Sequence, residues 1–309
     1  MKFEKRYICL LLSLFIMNGV FAQQLQKQIE SYLADKDAVV GVSVCFRGRE
    51  ICSINGDTRF PMYSVCKMYQ AAATLDVLCQ RNLSLQDTIH ISKSELLTNT
   101  YSPLAQRFPN QDVDLTIEEL LQYSLQLSDN NACDIIFNNF SNPESTTQFI
   151  KTLLIDSVGL QNTNIRWTEQ EQHDVPSRCY DNYTTPSDAA KFINQIATMP
   201  SFKSDYCDSL LNWFTETLIN CKTGENRLPR YIKNPNVGIG HKTGTGPMGN
   251  DICKGINDIG FVTLLDKNLT YGIAVFCENK SLQYQDLEDI IAQISLIVYN
   301  HMREVRGEN

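Results

Sequence analysis

Several things are scarce in this chain, and each scarcity excludes a class of protein. It has no Cys-x-x-Cys pair and only four histidines, so it offers no zinc-ligand spacing and no metal or organic cofactor is expected. Beyond the N-terminal region no stretch approaches the roughly 18 consecutive apolar residues that a membrane-spanning helix needs. Basic charge is short as well, with 27 Lys and Arg against 35 Asp and Glu and a formal net charge of −8. That balance argues against nucleic-acid binding. Internal repeats and low-complexity linkers are absent too, which leaves one large or two intimate domains.

The N-terminus is what a secreted protein carries. Met1 to Arg6 is basic, Tyr7 to Val20 is mostly apolar, and Val20-Phe21-Ala22 ends on small residues where a signal peptidase reads. Residues 1–22 therefore read as a signal peptide, its apolar core too short for a span. Cys9 lies too early to be the lipidated first residue of a mature chain, so the processed protein is expected in the periplasm, soluble and without a stable membrane anchor. An oxidising compartment permits disulfides, but eleven cysteines in a chain this long are not the density of a disulfide scaffold. Cys45 and Cys277 sit in apolar strand patterns and read as small buried hydrophobes.

Residues 24–34 have a helical stripe of Leu25, Ile29 and Leu33, and 39–46 with 51–54 form a hairpin around Arg47-Gly48-Arg49. A helix runs from the Ser64 region through Leu78, just after Pro61. Residues 83–113 are irregular, with short helical or turn pieces around Pro103 and Pro109. Thr116 with Glu119 makes a capping box for a helix over 117–125. Helices follow to Asn138, from Asn142 to about Leu154, to Ile196 behind Thr185 or Ser187, and over 206–217. Between them, 159–185 has no period and reads as a long functional loop. Past Asn236 the period becomes that of strands, at 237–245, 258–265 and 271–277, and a helix over 286–299 closes the chain.

The fold class is therefore α/β of the α+β type. An antiparallel sheet is assembled from residues 23–63 and 220–309 and flanked by helices, and a mostly helical domain, 64–219, is inserted between them. The groove between the two parts is the natural ligand site.

Three short motifs carry chemistry. In Ser64-Val65-Cys66-Lys67 the serine and lysine share one helix face, so an amine can accept the proton of a hydroxyl nucleophile. Cys66 is expected on the opposite side of that helix, buried and free. Ser128-Asp129-Asn130 sits at a turn, where a hydroxyl and an amide can reach one ligand, although an ordinary helix cap is the plainer account of it. His241-Lys242-Thr243-Gly244-Thr245 lies on a strand with Lys242 and Gly244 pointing one way. There Gly244 removes a side chain that would block a ligand, while Lys242, Thr243 and Thr245 suit a carboxylate.

Together these three motifs, in this order behind a signal peptide, resemble class A serine β-lactamases. The resemblance extends most closely to the extended-spectrum cephalosporinases of Bacteroides-type bacteria, and it spans nearly the whole mature chain. It implies a β-lactamase/penicillin-binding-protein-like fold, a monomer, and small-molecule β-lactam substrates, preferentially cephalosporins. It also implies roles for residues. Ser64 is the nucleophile, Lys67 its proton partner, and Ser128 the relay to the lactam nitrogen. Arg166-Trp167-Thr168-Glu169 is similar to the family's loop segment and makes Glu169 the deacylation base, with Glu171 the alternative. His173 stands where most members have an asparagine that holds the hydrolytic water. The loop's usual ion pair is displaced, since Arg166 is one position early and Asn182 replaces its aspartate partner; a roomier loop would admit bulky side chains. Tyr101 resembles the family's cleft-lining aromatic, Asn130 a holder of the substrate amide, and Arg227, or else Arg230, the arginine that assists Lys242. Whether Lys67 or Glu169 is the acylation base stays open. A penicillin-binding D-Ala-D-Ala peptidase and a non-catalytic sensor domain are the competing readings, both separable by turnover of a chromogenic cephalosporin.

Overall fold

The computed structural model describes residues 21–152, 160–198, 205–249 and 252–305. The expected leader lies outside these residues except for Phe21 and Ala22, which open helix α1 (21–33). Strands β1 (Ala38–Phe46) and β2 (Arg49–Ile54) form the hairpin, turned by Arg47 and Gly48 at positive φ. A short β3 (Phe60–Pro61) leads into α2 (Cys66–Arg81). Residues 65–75 are all buried, which makes α2 the central helix of the helical region. Its end is set by Asn82 in the left-handed conformation, with the Asn82 N–H returning to the Cys79 and Leu78 carbonyls.

The stretch expected to be irregular contains a strand pair, β4 (Thr88–Ile91) with β5 (Val113–Thr116), and the short α3 (Pro103–Arg107). Strands so far apart in sequence leave no local hairpin signal. Helix α4 (Ile117–Gln126) starts on the expected capping box of Thr116 and Glu119. Then come α5 (Asn130–Asn139), α6 (Pro143–Thr152) and α7 (Glu169–Asp174), the last inside the segment expected to be loop. Six residues are too few to show a period, but Thr168 and Glu171 form a second capping box there. Strand β6 (Tyr183–Thr184) pairs with β3 and ties this loop to the approach to α2. Helices α8 (Pro186–Thr198) and α9 (Asp205–Ile219) complete the helical region.

Strand β7 (Val237–Thr245), the small pair β8 (Met248–Gly249) and β9 (Ile252–Cys253), then β10 (Gly255–Leu264), β11 (Leu269–Asn279) and α10 (Tyr284–Glu304) follow. The main sheet is antiparallel in the order β2-β1-β11-β10-β7, so both chain ends supply it. One face packs on α1 and α10, where Ile290, Ile291, Ile294 and Val298 meet Val42, Ile273 and Val275. The other face packs on α8 and, through it, on the helical region. Each aliphatic side chain buried this fully contributes about 1.5–3 kcal/mol. The strand nearest the helical region at the open end is β7, and this edge bounds the cleft. No described helix is long and apolar enough to cross a membrane.

Candidate active site

Ser64 stands on a 3-10 turn, Tyr63–Val65, immediately before α2. Tyr63 has φ of +48°, a left-handed conformation that a bulky residue adopts only when its surroundings hold it there. The holding groups are visible. Asn257 Nδ2 on β10 donates to the Pro61 carbonyl at 2.7 Å, and Met62 N–H donates to the Asn182 carbonyl at 2.8 Å. Strand β7 comes so close to the turn that a Cβ on Gly244 would lie 2.5 Å from the Met62 oxygen.

Lys67 is wholly buried, one helical turn on. Its Nζ lies 2.8 Å from Ser64 Oγ, 2.7 Å from Asn130 Oδ1, 3.2 Å from the Ser128 carbonyl and 2.7 Å from Glu169 Oε1. Burial opposes the charge on Lys67, but the Glu169 carboxylate beside it outweighs burial and lifts its pKa above the ordinary lysine value.

Ser128, at φ +59°, occupies the turn between α4 and α5. The turn is fixed by Asp129, whose buried carboxylate accepts from Leu104 N at 2.7 Å, Ala132 N at 2.9 Å and the Ser102 hydroxyl. From the other wall, Lys242 Nζ donates to Ser128 Oγ at 2.9 Å. Lys242 is buried too, and burial together with the nearby Lys67 charge brings its pKa down to about 8.

Glu169 is the first residue of α7. Its N–H and that of Gln170 both donate, at 2.8 Å each, to the carboxylate of Asp134 on α5. Burial and the Glu169 charge push Asp134 up to about 7. Asn182 accepts from the Arg166 and Trp167 N–H groups at 2.8 and 3.0 Å and donates to the Trp167 carbonyl at 2.8 Å. The loop is therefore closed by an amide on backbone at the position where an ion pair was expected to be missing. The cleft enclosed by these parts measures about 580 Å³. At its far end Thr223 and Thr243 share a hydroxyl contact of 2.8 Å, and Arg227 Nη2 donates to Thr245 Oγ1 at 2.7 Å.

The family model for the β-lactamase enzyme family matches residues 23–302. A β-lactamase of Bacteroides uniformis is 35% identical over 97% of this chain and 100% of its own length. The chain belongs to the class A serine β-lactamase family. The crystal structure of a class A β-lactamase from Bacteroides cellulosilyticus superimposes with a TM-score of 0.85 at 31% identity, covering 92% of this chain and 99% of that one. The extended-spectrum β-lactamase PER-1 of Pseudomonas aeruginosa is 30% identical over 89% of this chain and 86% of its own length. As a member of this family, the chain has β-lactam hydrolysis as its activity class.

Among the residues singled out in the sequence, Ser64, Tyr101, Ser128, Asn130, Glu169, His173, Arg227, Thr243 and Thr245 all line this class A cleft. Lys67 and Lys242 lie just beneath its surface. The two loop glutamates have different partners: Glu169 pairs with Lys67, while Glu171 accepts from Thr168 N at 2.9 Å as the capping partner. Arg230 pairs with Asp289 and does not line the cleft.

Three expectations need correction. Gly244 clears space for the Ser64 turn rather than for a ligand, because its missing side chain faces Met62 and Tyr63. Cys66 is buried and free, but it does not face away from the site: its Sγ lies 4.0 Å from Glu169 Oε1. Ser64 is in a 3-10 turn and α2 begins only at Cys66, which shifts the angular offset between them. Arg227 is only 2% exposed and its terminal nitrogens are committed to the Gly244 and Asn257 carbonyls, Thr245 and Tyr284. Its terminal nitrogens therefore meet protein oxygens, two of them the Thr245 and Tyr284 hydroxyls. His173 is exposed and bonded to Asn99 at 3.3 Å, and it lines the cleft together with Glu169 and the buried Gln172.

Sequence reasoning missed Asp134, Asn257 and Tyr284. Asp134 had a usable signal, standing one helical turn beyond Asn130 on the same face. Asn257 and Tyr284 had none, because the partners of their side chains are more than 50 residues away in sequence. Among the described residues no group of three or more His, Cys, Asp or Glu is placed to hold a metal ion.

Proposed function

We propose that this chain hydrolyses β-lactams through an ester on Ser64, prefers cephalosporins, and works in the periplasm after loss of residues 1–22. One arrangement carries the reading: Lys67 Nζ is 2.8 Å from Ser64 Oγ and 2.7 Å from Glu169 Oε1. Nucleophile and deacylation base then share one proton carrier.

An ammonium has three protons, and Lys67 faces four acceptors. As Ser64 attacks the lactam carbonyl, its proton passes to Lys67 while Lys67 yields one to Glu169. The oxyanion is received by the backbone N–H groups of Ser64 and Thr245, each worth about 3 kcal/mol in sites of this kind. Ser128, flanked by both lysines, protonates the lactam nitrogen as the ring opens. Glu169 hands its proton back through Lys67 to restore Ser128; a carboxylate again, it deprotonates the water that cleaves the ester and returns that proton to Ser64 as the ester bond breaks. Asn130 and the Thr245 carbonyl hold the side-chain amide, with Tyr101 along the wall. Lys242, Thr243 and Thr245 hold the ring carboxylate.

The cephalosporin preference comes from the family resemblance, and the Asn182 amide, which holds the loop with neutral hydrogen bonds in place of an ion pair, is the feature of this chain it rests on. It is tested by kcat/KM on a penicillin and on narrow and bulky cephalosporins. Comparable efficiency on both cephalosporins, above the penicillin, supports it, and strong exclusion of the bulky one refutes it. A single burst without turnover would move the chain to the penicillin-binding peptidases.

A further inference from the structure

Tyr284 lies in the cleft and takes no part in the scheme above. It is the first residue of α10, half-buried, at the end of the cleft bounded by Thr243 and Thr245. Arg227 Nη2 donates at 2.8 Å to Tyr284 Oη and at 2.7 Å to Thr245 Oγ1. One charged nitrogen thus occupies a lone pair on each of two hydroxyls. The guanidinium cannot swing out to meet a ligand. Its Nη1 is fixed at 2.9 Å by both the Gly244 and the Asn257 carbonyls, and its Nε stands 3.5 Å from the buried Glu288. A hydroxyl that accepts from a cation becomes a stronger donor, and its proton needs an acceptor elsewhere. Among the described residues Tyr284 has none.

We propose that Tyr284 is a carboxylate-binding residue: its hydroxyl, polarised by Arg227, donates to the substrate's ring carboxylate beside Thr245. This assignment rests on the reading of the cleft as a β-lactam site. It explains how an arginine almost fully buried contributes to anion binding, since its charge reaches the ligand through two hydroxyls. The buried Glu288 offsets part of that charge on the far side and favours this indirect route over direct pairing.

The test separates the hydroxyl from the ring. In a Ser64→Gly background, which cannot form the ester, a cephalosporin free acid and its methyl ester are titrated by calorimetry with and without Tyr284→Phe. The phenylalanine variant should bind the acid about tenfold more weakly or worse and the ester unchanged. Tyr284→Gln, which keeps a donor, should be intermediate for the acid. Equal losses for acid and ester, or no loss for either, would overturn the assignment. Turnover of a chromogenic cephalosporin by the unaltered protein is measured separately. Acid-selective binding without turnover would refute the hydrolase reading and leave the role of Tyr284 standing.

Discussion

Replacing Gly244 by alanine adds one carbon to β7, at a place where the backbone on both sides is fixed. The new Cβ would lie 2.5 Å from the Met62 carbonyl oxygen, 3.2 Å from Tyr63 Cβ and 3.3 Å from Val65 Cγ2. Carbon and carbonyl oxygen rest about 3.3–3.6 Å apart even in favourable contacts, so strand and turn must separate by most of an ångström. Asn257 resists the separation, being paired with Gly244 across the sheet and bonded to the Pro61 carbonyl. Overpacking of this kind costs about 1–3 kcal/mol. The shift also moves Ser64 away from Thr245, and misplacement by about 1 Å typically lowers catalysis on the order of a hundredfold. The assay is thermal unfolding together with the single-turnover acylation rate. Gly48→Ala serves as the comparison, because Gly48 has φ +71° with nothing within 4 Å of its Cβ position. That variant should lose roughly 1–2 kcal/mol of stability through backbone strain and keep its acylation rate. If Gly244→Ala acylates as fast as Gly48→Ala, the claim that this glycine sets the distance between strand and nucleophile is refuted.

Lys242 predicts a pH limit. Its pKa, brought down to about 8 by burial and the Lys67 charge, makes it cationic below that pH and neutral above. kcat/KM, which reports the free enzyme, should therefore fall as pH rises through about 8 for carboxylate-bearing substrates; a profile flat to pH 10 would contradict it. The Cys79–Cys207 disulfide joins α2 to α9 across 128 residues. Breaking it with the double substitution Cys79→Ala/Cys207→Ala should remove about 3–5 kcal/mol of stability, read as a lowered melting temperature. An unchanged melting temperature would show that the bridge constrains little.

What could be read in the sequence was what nearest neighbours determine. The Thr116–Glu119 capping box, the β1–β2 hairpin and the closing helix α10 each lie within one local pattern, and each is found where expected. The reach of Lys67 to Ser64 is of the same kind. The loop was not legible, because α7 is shorter than two helical turns and is held by Asp134 on another helix. Two glutamates two residues apart could not be distinguished by composition. They differ only in what stands opposite them: Lys67 for Glu169, and the Thr168 N–H for Glu171. Gly244 was read as room for a ligand because a strand alone does not show that a turn presses on it. Arg227 was expected at the ligand for the same reason, since nothing near it in sequence announces Tyr284 and Glu288.

The central claim is that Glu169 releases Ser64 from its ester and that Glu171 only caps α7. Intact-protein mass after mixing with a cephalosporin tests it directly in Glu169→Ala and Glu171→Ala. The first should hold a lasting adduct on Ser64 with turnover lost. The second, lacking a cap worth about 1 kcal/mol, should be less stable yet show no accumulated ester. An adduct that persists in Glu171→Ala, or rapid turnover in Glu169→Ala, would contradict the account.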